Sequence, residues 1–389
     1  MALYKMVNGF LLVLLWGMIA AQEPDVIYLT WIKDPATTMT IQWHTAAGRG
    51  PTQVVYHPEE NLSWVSVEGK STQVSGTQVD MHIVHLEGLK EDGLVVFKIG
   101  EGPTEYRFRT LPKTLKRPVR LAVGGDIFYP GKMELFRKMN RVVASQDPDV
   151  VVLGGDLAYT TNRKKNLFKG LKWKMARWQT FLRELHQMRG KDGRLIPLLP
   201  VVGNHDVDEK AKLFYDLFAF PEAGKAYRMF DAGNYLSLAL LDTGHSHPVG
   251  GEQTTWLEKN LRERQNTPYL WCAYHVAAYP SYYPYEGEVS QQIRTNWVPL
   301  FEKYGVKWAF EHHNHRFKRS YPIKEGKVDP QGVIYLGDGS WGVPPRPAVD
   351  PDKRWYLERS ESINACYFVT LSQESCKVEA RNLEGVLID

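Results

Sequence analysis

Cysteine is nearly absent, with three residues in 389: Cys272, Cys366 and Cys376. That is too few for a disulfide framework. Cys366 and Cys376 flank a hairpin-like stretch, but a turn at Gln373-Glu374 sets Cys376 opposite Leu371 and leaves Cys366 out of reach. Charge imbalance is also missing. Against 44 acidic residues stand 48 basic ones, and a net +4 argues against a nucleic-acid carrier. There is no internal repeat and no low-complexity tract, and beyond the first 21 residues no apolar run approaches a membrane span. What remains is an ordinary globular balance, 43% hydrophobic and 24% charged, on a chain long enough for two domains with cores.

The ends of the chain differ in character. Lys5 precedes the apolar run Val7 to Ala21, which closes on small residues before polar Gln22-Glu23-Pro24. A basic lead, a short apolar stretch and a small-residue end describe a signal peptide over 1–21, cleaved near Ala20 or Ala21. An uncleaved anchor is the alternative. Cleavage implies a secreted or periplasmic protein, extracytoplasmic in either case and without a membrane span. Asn61-Leu62-Ser63 is the one glycosylation sequon.

Residues 22–112 read as all-β. Apolar and polar residues alternate in Thr40-Ile41-Gln42-Trp43-His44 and again in Tyr106-Arg107-Phe108-Arg109, with turn residues between. A small β-sandwich follows, with Trp43 in its core. Residues 113–118 are the linker. From 119 to 389 the rhythm becomes α/β, because apolar strands alternate with amphipathic helices. Helices are expected at 132–145, 172–188, 252–264 and 291–303. Further strands are expected at 235–242, 269–275, 306–312 and 332–337.

Metal-binding residue types gather where these strands end. Asp126 closes the first and Asp156 the second. Asn204 and His205 follow the third, His275 ends a later one, and His313 and His315 follow another. Any one of these has a bland reading as a turn or cap. Seven at strand ends form a pattern, since sites in such sheets collect beyond the carboxyl ends of strands. Oxygen and nitrogen donors without thiolate suit iron, zinc or manganese. A carboxylate shared by two ions would clamp a phosphoryl group in an in-line displacement.

The donors occur as five blocks in a fixed order. They are Gly125-Asp126, Gly155-Asp156-Leu157-Ala158-Tyr159, Gly203-Asn204-His205-Asp206, His275 with Tyr279 and Ser281, and His313-Asn314-His315 with Phe317 and Arg319. In this the chain resembles the metallophosphoesterase superfamily, and Tyr159 together with Phe128 narrows the resemblance to the purple acid phosphatases. The resemblance covers about 120–389, and the β region in front resembles the fibronectin type III-like domain of longer members. It implies a metallophosphoesterase domain of two β-sheets flanked by helices. It also implies Fe(III) held by Asp126, Asp156, Tyr159 and His315. A divalent metal (Zn, Fe or Mn) would be held by Asp156, Asn204, His275 and His313, with Asp156 bridging. Ferric charge lowers a phenol's pKa enough for tyrosine to bind as the anion. The implied reaction is hydrolysis of phosphate monoesters by a metal-bound hydroxide, with His205 as proton donor or phosphate ligand. Phosphodiesterase or pyrophosphatase chemistry at the same centre is the alternative, followed by a non-catalytic ligand-binding protein.

Three departures from the family pattern matter. Asp206 stands where glutamate is usual. His312 replaces a glycine, so three histidines fall within four residues; 313 and 315 are chosen because i, i+2 residues of an extended chain point the same way, with His312 as the alternative. Extra histidines found downstream of the His275 block in plant-type members are replaced here by Tyr282-Tyr283-Pro284-Tyr285. Those tyrosines offer stacking faces and no cation, which predicts aryl or nucleotide phosphates over phytate. The partner implied is a small-molecule phosphate ester. Nucleic-acid binding is not expected, and the oligomeric state is left open.

Overall fold

The computed structural model describes residues 23, 24, 26–161, 170–207, 211–337, 339–347, 349 and 354–389; the segment read as a signal peptide lies outside them. Two four-stranded antiparallel sheets come first. One runs Ile27–Thr30, Met39–Ala46, Val79–Leu86, Lys70–Gln73, and the other Val65–Glu68, Gln53–Pro58, Leu94–Ile99, Tyr106–Arg109. Met39, Ile41 and Trp43 project from alternate positions into the space between them, where Val84, Phe97 and Phe108 meet them, all fully buried. The intervening Thr40, Gln42 and His44 are buried as well. The rest of the chain covers that face: Gln42 Nε2 donates to Leu217 O at 3.2 Å, and Arg228 donates to Trp31 O at 2.9 Å.

The second part is four layers thick. A five-stranded sheet runs Leu198–Pro200, Val150–Leu153, Val119–Gly124, Ala365–Leu371, Cys376–Asn382, with its first three strands parallel. A seven-stranded sheet contains the parallel run Leu236–Leu240, Tyr269–Val276, Trp308–His312, Ile334–Gly337. Their inner faces share one core, where Leu121, Val123, Val152 and Leu199 meet Leu238, Trp271, Phe310 and Leu336. The residues between, such as Ala122 and Val151, face outward onto helices Met133–Ser145 and Leu171–His186. Cys272 and Tyr274 likewise face Glu252–Arg264, Glu288–Asn296 and Val298–Tyr304. Period-2 alternation on both faces thus produces helix, sheet, sheet, helix.

Two expectations change in detail. The single helix read over 291–303 is two, divided at Trp297, because Pro299 cannot donate the hydrogen bond that would continue the first into the second. The C-terminal hairpin pairs Leu371 with Cys376 and Cys366 with Arg381, and all three thiols are free. Among the described residues no helix is long and apolar enough to cross a membrane.

Candidate metal centre

The parallel strands of both sheets end on one edge; His275 is the penultimate residue of its strand, and the other donors follow the ends of theirs. The loops are stitched together there: Asp126, Ile127 and Phe128 donate their N–H groups to the carbonyls of Gly155, Asp156 and Leu157 at 2.9, 2.9 and 3.0 Å. Asp126, Asp156, Tyr159, His313 and His315 all hold left-handed backbone, with φ between 50° and 77°. Such conformations are uncommon outside glycine and persist where surrounding structure enforces them.

The side chains form two adjoining groups. In the first, Tyr159 OH donates to Asp126 Oδ1 at 2.9 Å and lies 3.2 Å from His315 Nε2, which is itself 2.9 Å from Asp126 Oδ1. In the second, His275 Nε2 faces Asn204 Oδ1 at 3.2 Å, His313 Nδ1 at 3.2 Å and Asp156 Oδ1 at 3.3 Å. Asp156, His275 and His313 each place a donor atom within 4.8 Å of the others. The Asp156 carboxylate touches both sets of loops, since its Oδ1 accepts from His205 N at 2.7 Å.

Two features show that the second group suits a cation. His275 Nδ1 is 2.9 Å from Gly154 O, so that nitrogen carries the hydrogen and Nε2 presents a lone pair toward the others. Asp156 Oδ2 is buried and has no hydrogen-bond partner. A buried carboxylate oxygen without a donor is costly, and a cation would satisfy it. Without one, protons take the role. Burial opposes the charge on His275, but Asp156 beside it prevails and raises its pKa to about 10. Burial would likewise raise Asp126 and Asp156, but His315 and His275 respectively hold them below the usual carboxylate range. Burial, then Asp126, push the Tyr159 phenol well above its ordinary value.

His205 is half-buried beside this group. Its Nδ1 bonds to Thr161 O, its ring stacks on Tyr159 with centroids 4.7 Å apart, and its Nε2 lies 3.9 Å from Asp156 Oδ2. Asp206 joins two donor loops by accepting the N–H groups of Leu157 at 2.7 Å, Ala158 at 3.3 Å and Gly203 at 3.0 Å. Burial and the nearby Asp156 raise its pKa against the pull of those donors.

The side chain of His312 makes no hydrogen bond to the donors. Its ring is buried, with neither nitrogen hydrogen-bonded, and burial lowers its pKa to about 3. It fills the space left by Gly154, where a methyl group would come within 1.9 Å of the ring, and it also abuts Gly125. The glycines before each aspartate therefore make room for an imidazole in this chain. Phe128 packs into the core against Phe136, with the Arg177 guanidinium 4.2 Å from its ring centre.

Sequence reasoning missed several neighbours. His245 lies with its ring 5.6 Å from that of His275, and burial, then His275, lower its pKa to about 4. The Asp242 carboxylate holds its loop by accepting the N–H groups of His245, Ser246 and His247 at 2.7 to 2.9 Å. Asp242 itself follows the strand Leu236–Leu240, so the strand-end rule applied there would have found this loop. Arg346 was missed as well. Of the tyrosine-rich loop, Tyr283 reaches the centre and stacks on His313 with centroids 4.9 Å apart. Tyr279 and Tyr285 pack instead against Tyr356.

Two family models match the chain: purple acid phosphatase, N-terminal domain, over residues 24–110, and calcineurin-like phosphoesterase over 119–317. Among curated relatives, "Probable purple acid phosphatase 20" of Arabidopsis thaliana is 26% identical over 336 residues, covering 82% of this chain and 72% of the relative. Purple acid phosphatase 23 of the same plant is 26% identical over 365 residues, covering 82% and 78%. A solved purple acid phosphatase from yellow lupin (Lupinus luteus) seeds superposes with a TM-score of 0.76 over 94% of this chain and 73% of its own, at 17% identity, which speaks to the fold. The chain belongs to the calcineurin-like phosphoesterases and, within them, to the purple acid phosphatases.

Proposed function

We propose that the protein, a metal-dependent phosphatase by family, hydrolyses phosphate monoesters at a dinuclear centre of Fe(III) and a divalent iron, zinc or manganese. Asp126, Asp156, Tyr159 and His315 would hold the ferric ion. Asp156, Asn204, His275 and His313 would hold the divalent one. The observation that carries this reading is the convergence of His275 Nε2, His313 Nδ1 and Asn204 Oδ1 on an Asp156 carboxylate whose second oxygen is buried and unpartnered. When bound, such a pair supplies Lewis-acid charge at the phosphoryl oxygens and acidifies water. The chain itself supplies placement and a proton. Because His205 Nδ1 is committed to Thr161 O, its Nε2 is the nitrogen that exchanges a proton with the leaving oxygen. Stacking on Tyr159 keeps that ring from rotating. The reading also takes residues 22–112 and 119–389 as separate domains and the product as extracytoplasmic.

His205→Ala tests the assignment. It should keep both metals by elemental analysis and lose turnover by about 10²–10⁴-fold, more for poor leaving groups than for good ones. An equal loss on both would remove His205 as proton donor. Faster turnover of a phosphodiester than of a monoester would overturn the substrate class.

A further inference from the structure

Arg346 is distant in sequence from every donor block, yet it stands beside the centre. Its N–H donates to His315 O at 3.0 Å. Its guanidinium lies 4.5 Å from the ring centre of Tyr283 and 4.9 Å from that of Tyr282. Tyr283 in turn stacks on His313, so two ring contacts separate the donor imidazole from the cation. The backbone N–H groups of Tyr282 and Tyr283 donate to Asn314 Oδ1 at 2.9 and 2.8 Å, which fixes this loop between the two donor histidines of its neighbour.

The guanidinium is poorly compensated. Among the described residues no carboxylate pairs with it, and its Nε is buried without a hydrogen-bond partner. Nearby arginines are committed elsewhere: Arg354 to the carbonyls of Pro280 and Tyr282, and Arg319 to Glu358 and Asp389. A cation seated on aromatic rings keeps its edge N–H groups for an acceptor, and their planar fork matches a phosphate. Tyr283 already carries His313 and Arg346 on its ring, which leaves little face for a base to stack on. The expectation of a cation-free aromatic loop therefore fails, because Arg346 arrives from another segment.

We propose that Arg346, seated on Tyr282 and Tyr283, binds a second anionic group of the substrate. The preferred class is then phosphate esters that bear a further phosphate close to the scissile one. This inference rests on the phosphatase reading, and the test separates the two. Turnover is measured for wild type, Arg346→Met and Arg346→Lys on p-nitrophenyl phosphate, an inositol monophosphate and an inositol bisphosphate with phosphates on adjacent carbons. Wild type should favour the bisphosphate by about tenfold or more in kcat/KM, the scale of one charge-assisted contact. Arg346→Met should erase that preference through KM, while kcat, metal content and p-nitrophenyl phosphate turnover stay within about threefold of wild type. Arg346→Lys should fall between, since a point charge lacks the fork. Equal losses on all three substrates, or a wild type without preference for the bisphosphate, would overturn the inference and leave the phosphatase intact. A wild type inert toward p-nitrophenyl phosphate would overturn both.

Discussion

Beneath the donor loops lies a buried charged pair. Glu311 and Lys318 are both fully buried and joined side chain to side chain. Glu311 Oε1 also accepts from Tyr274 OH and from Ala278 N–H, each at 2.7 Å, and Lys318 Nζ donates to Tyr279 O at 2.5 Å. The pair thus ties the chain just past His275 to the strand that leads into His313. Removing one partner of such a pair strands the other charge and costs about 3–5 kcal/mol. Lys318→Met leaves the carboxylate alone. Glu311→Gln keeps an acceptor for Tyr274 and Ala278 but takes the facing carboxylate away from a buried ammonium. The double variant Glu311→Gln/Lys318→Met removes both charges and keeps that acceptor. Its cost should stay well below the sum of the singles, because the new amide and the Tyr279 carbonyl that lose a partner are both neutral. The two changes therefore compensate rather than add. Urea denaturation followed by tryptophan fluorescence reads this directly, with 12 tryptophans as probes and the slope checked for constancy. A double variant that loses the sum of the singles, roughly 6–10 kcal/mol on the same scale, would refute the argument.

Colour tests the first donor group. Burial and Asp126 keep the Tyr159 phenol protonated in metal-free protein, so iron loading should create a visible charge-transfer band that Tyr159→Phe abolishes; a band that survives would exclude the phenolate. Asp156→Asn should lose both metals and nearly all turnover, because a neutral amide cannot hold two cations together, and two ions per chain in that variant would place the bridge elsewhere. The chelated protein should show a pH signature from His275, whose pKa rises to about 10 beside Asp156 despite burial. Its contribution to stability is full below the unfolded value of about 6.5 and is lost as pH rises through about 10. His275→Gln should flatten that slope in denaturation curves, and an unchanged slope would assign it to another group.

Much of this architecture can be read from residue order, for reasons that particular residues make plain. Leu121, Ala122 and Val123 alternate between the inter-sheet core and a helix layer, so a short apolar run marks a strand buried on both faces. Gly125-Asp126 and Gly155-Asp156 interrupt such runs where the strands stop, which marks the functional edge. Arg346 carries no comparable mark. It meets Tyr283 through the fold, and no spacing rule links positions that far apart. The split at Trp297 was missed because the apolar period continues across Pro299, while the break comes from a missing N–H rather than from a change of pattern.

Backbone conformation at the donors is the other element hidden from sequence, and it changes the reasoning about His313 and His315. The i, i+2 argument assumed an extended chain. Both residues instead have left-handed backbone, with φ of 77° and 55°, and both still turn toward the centre. Asp126, Asp156 and Tyr159 are held in the same way. Each such residue costs on the order of 1–3 kcal/mol, so five together form a sizeable strain in a protein whose net stability is about 5–15 kcal/mol. The strain survives because it is opposed locally. The ladder from Asp126–Phe128 to Gly155–Leu157, the Asp206 contacts to three N–H groups and the His313 N–H bond to Asp126 Oδ2 at 2.8 Å all restrain the same loops. Donors fixed by hydrogen bonds between loops need no backbone rearrangement when a cation arrives. Under the proposed assignment, ion binding would then be set by side-chain protonation at His275 and Tyr159, whose protons a metal would displace.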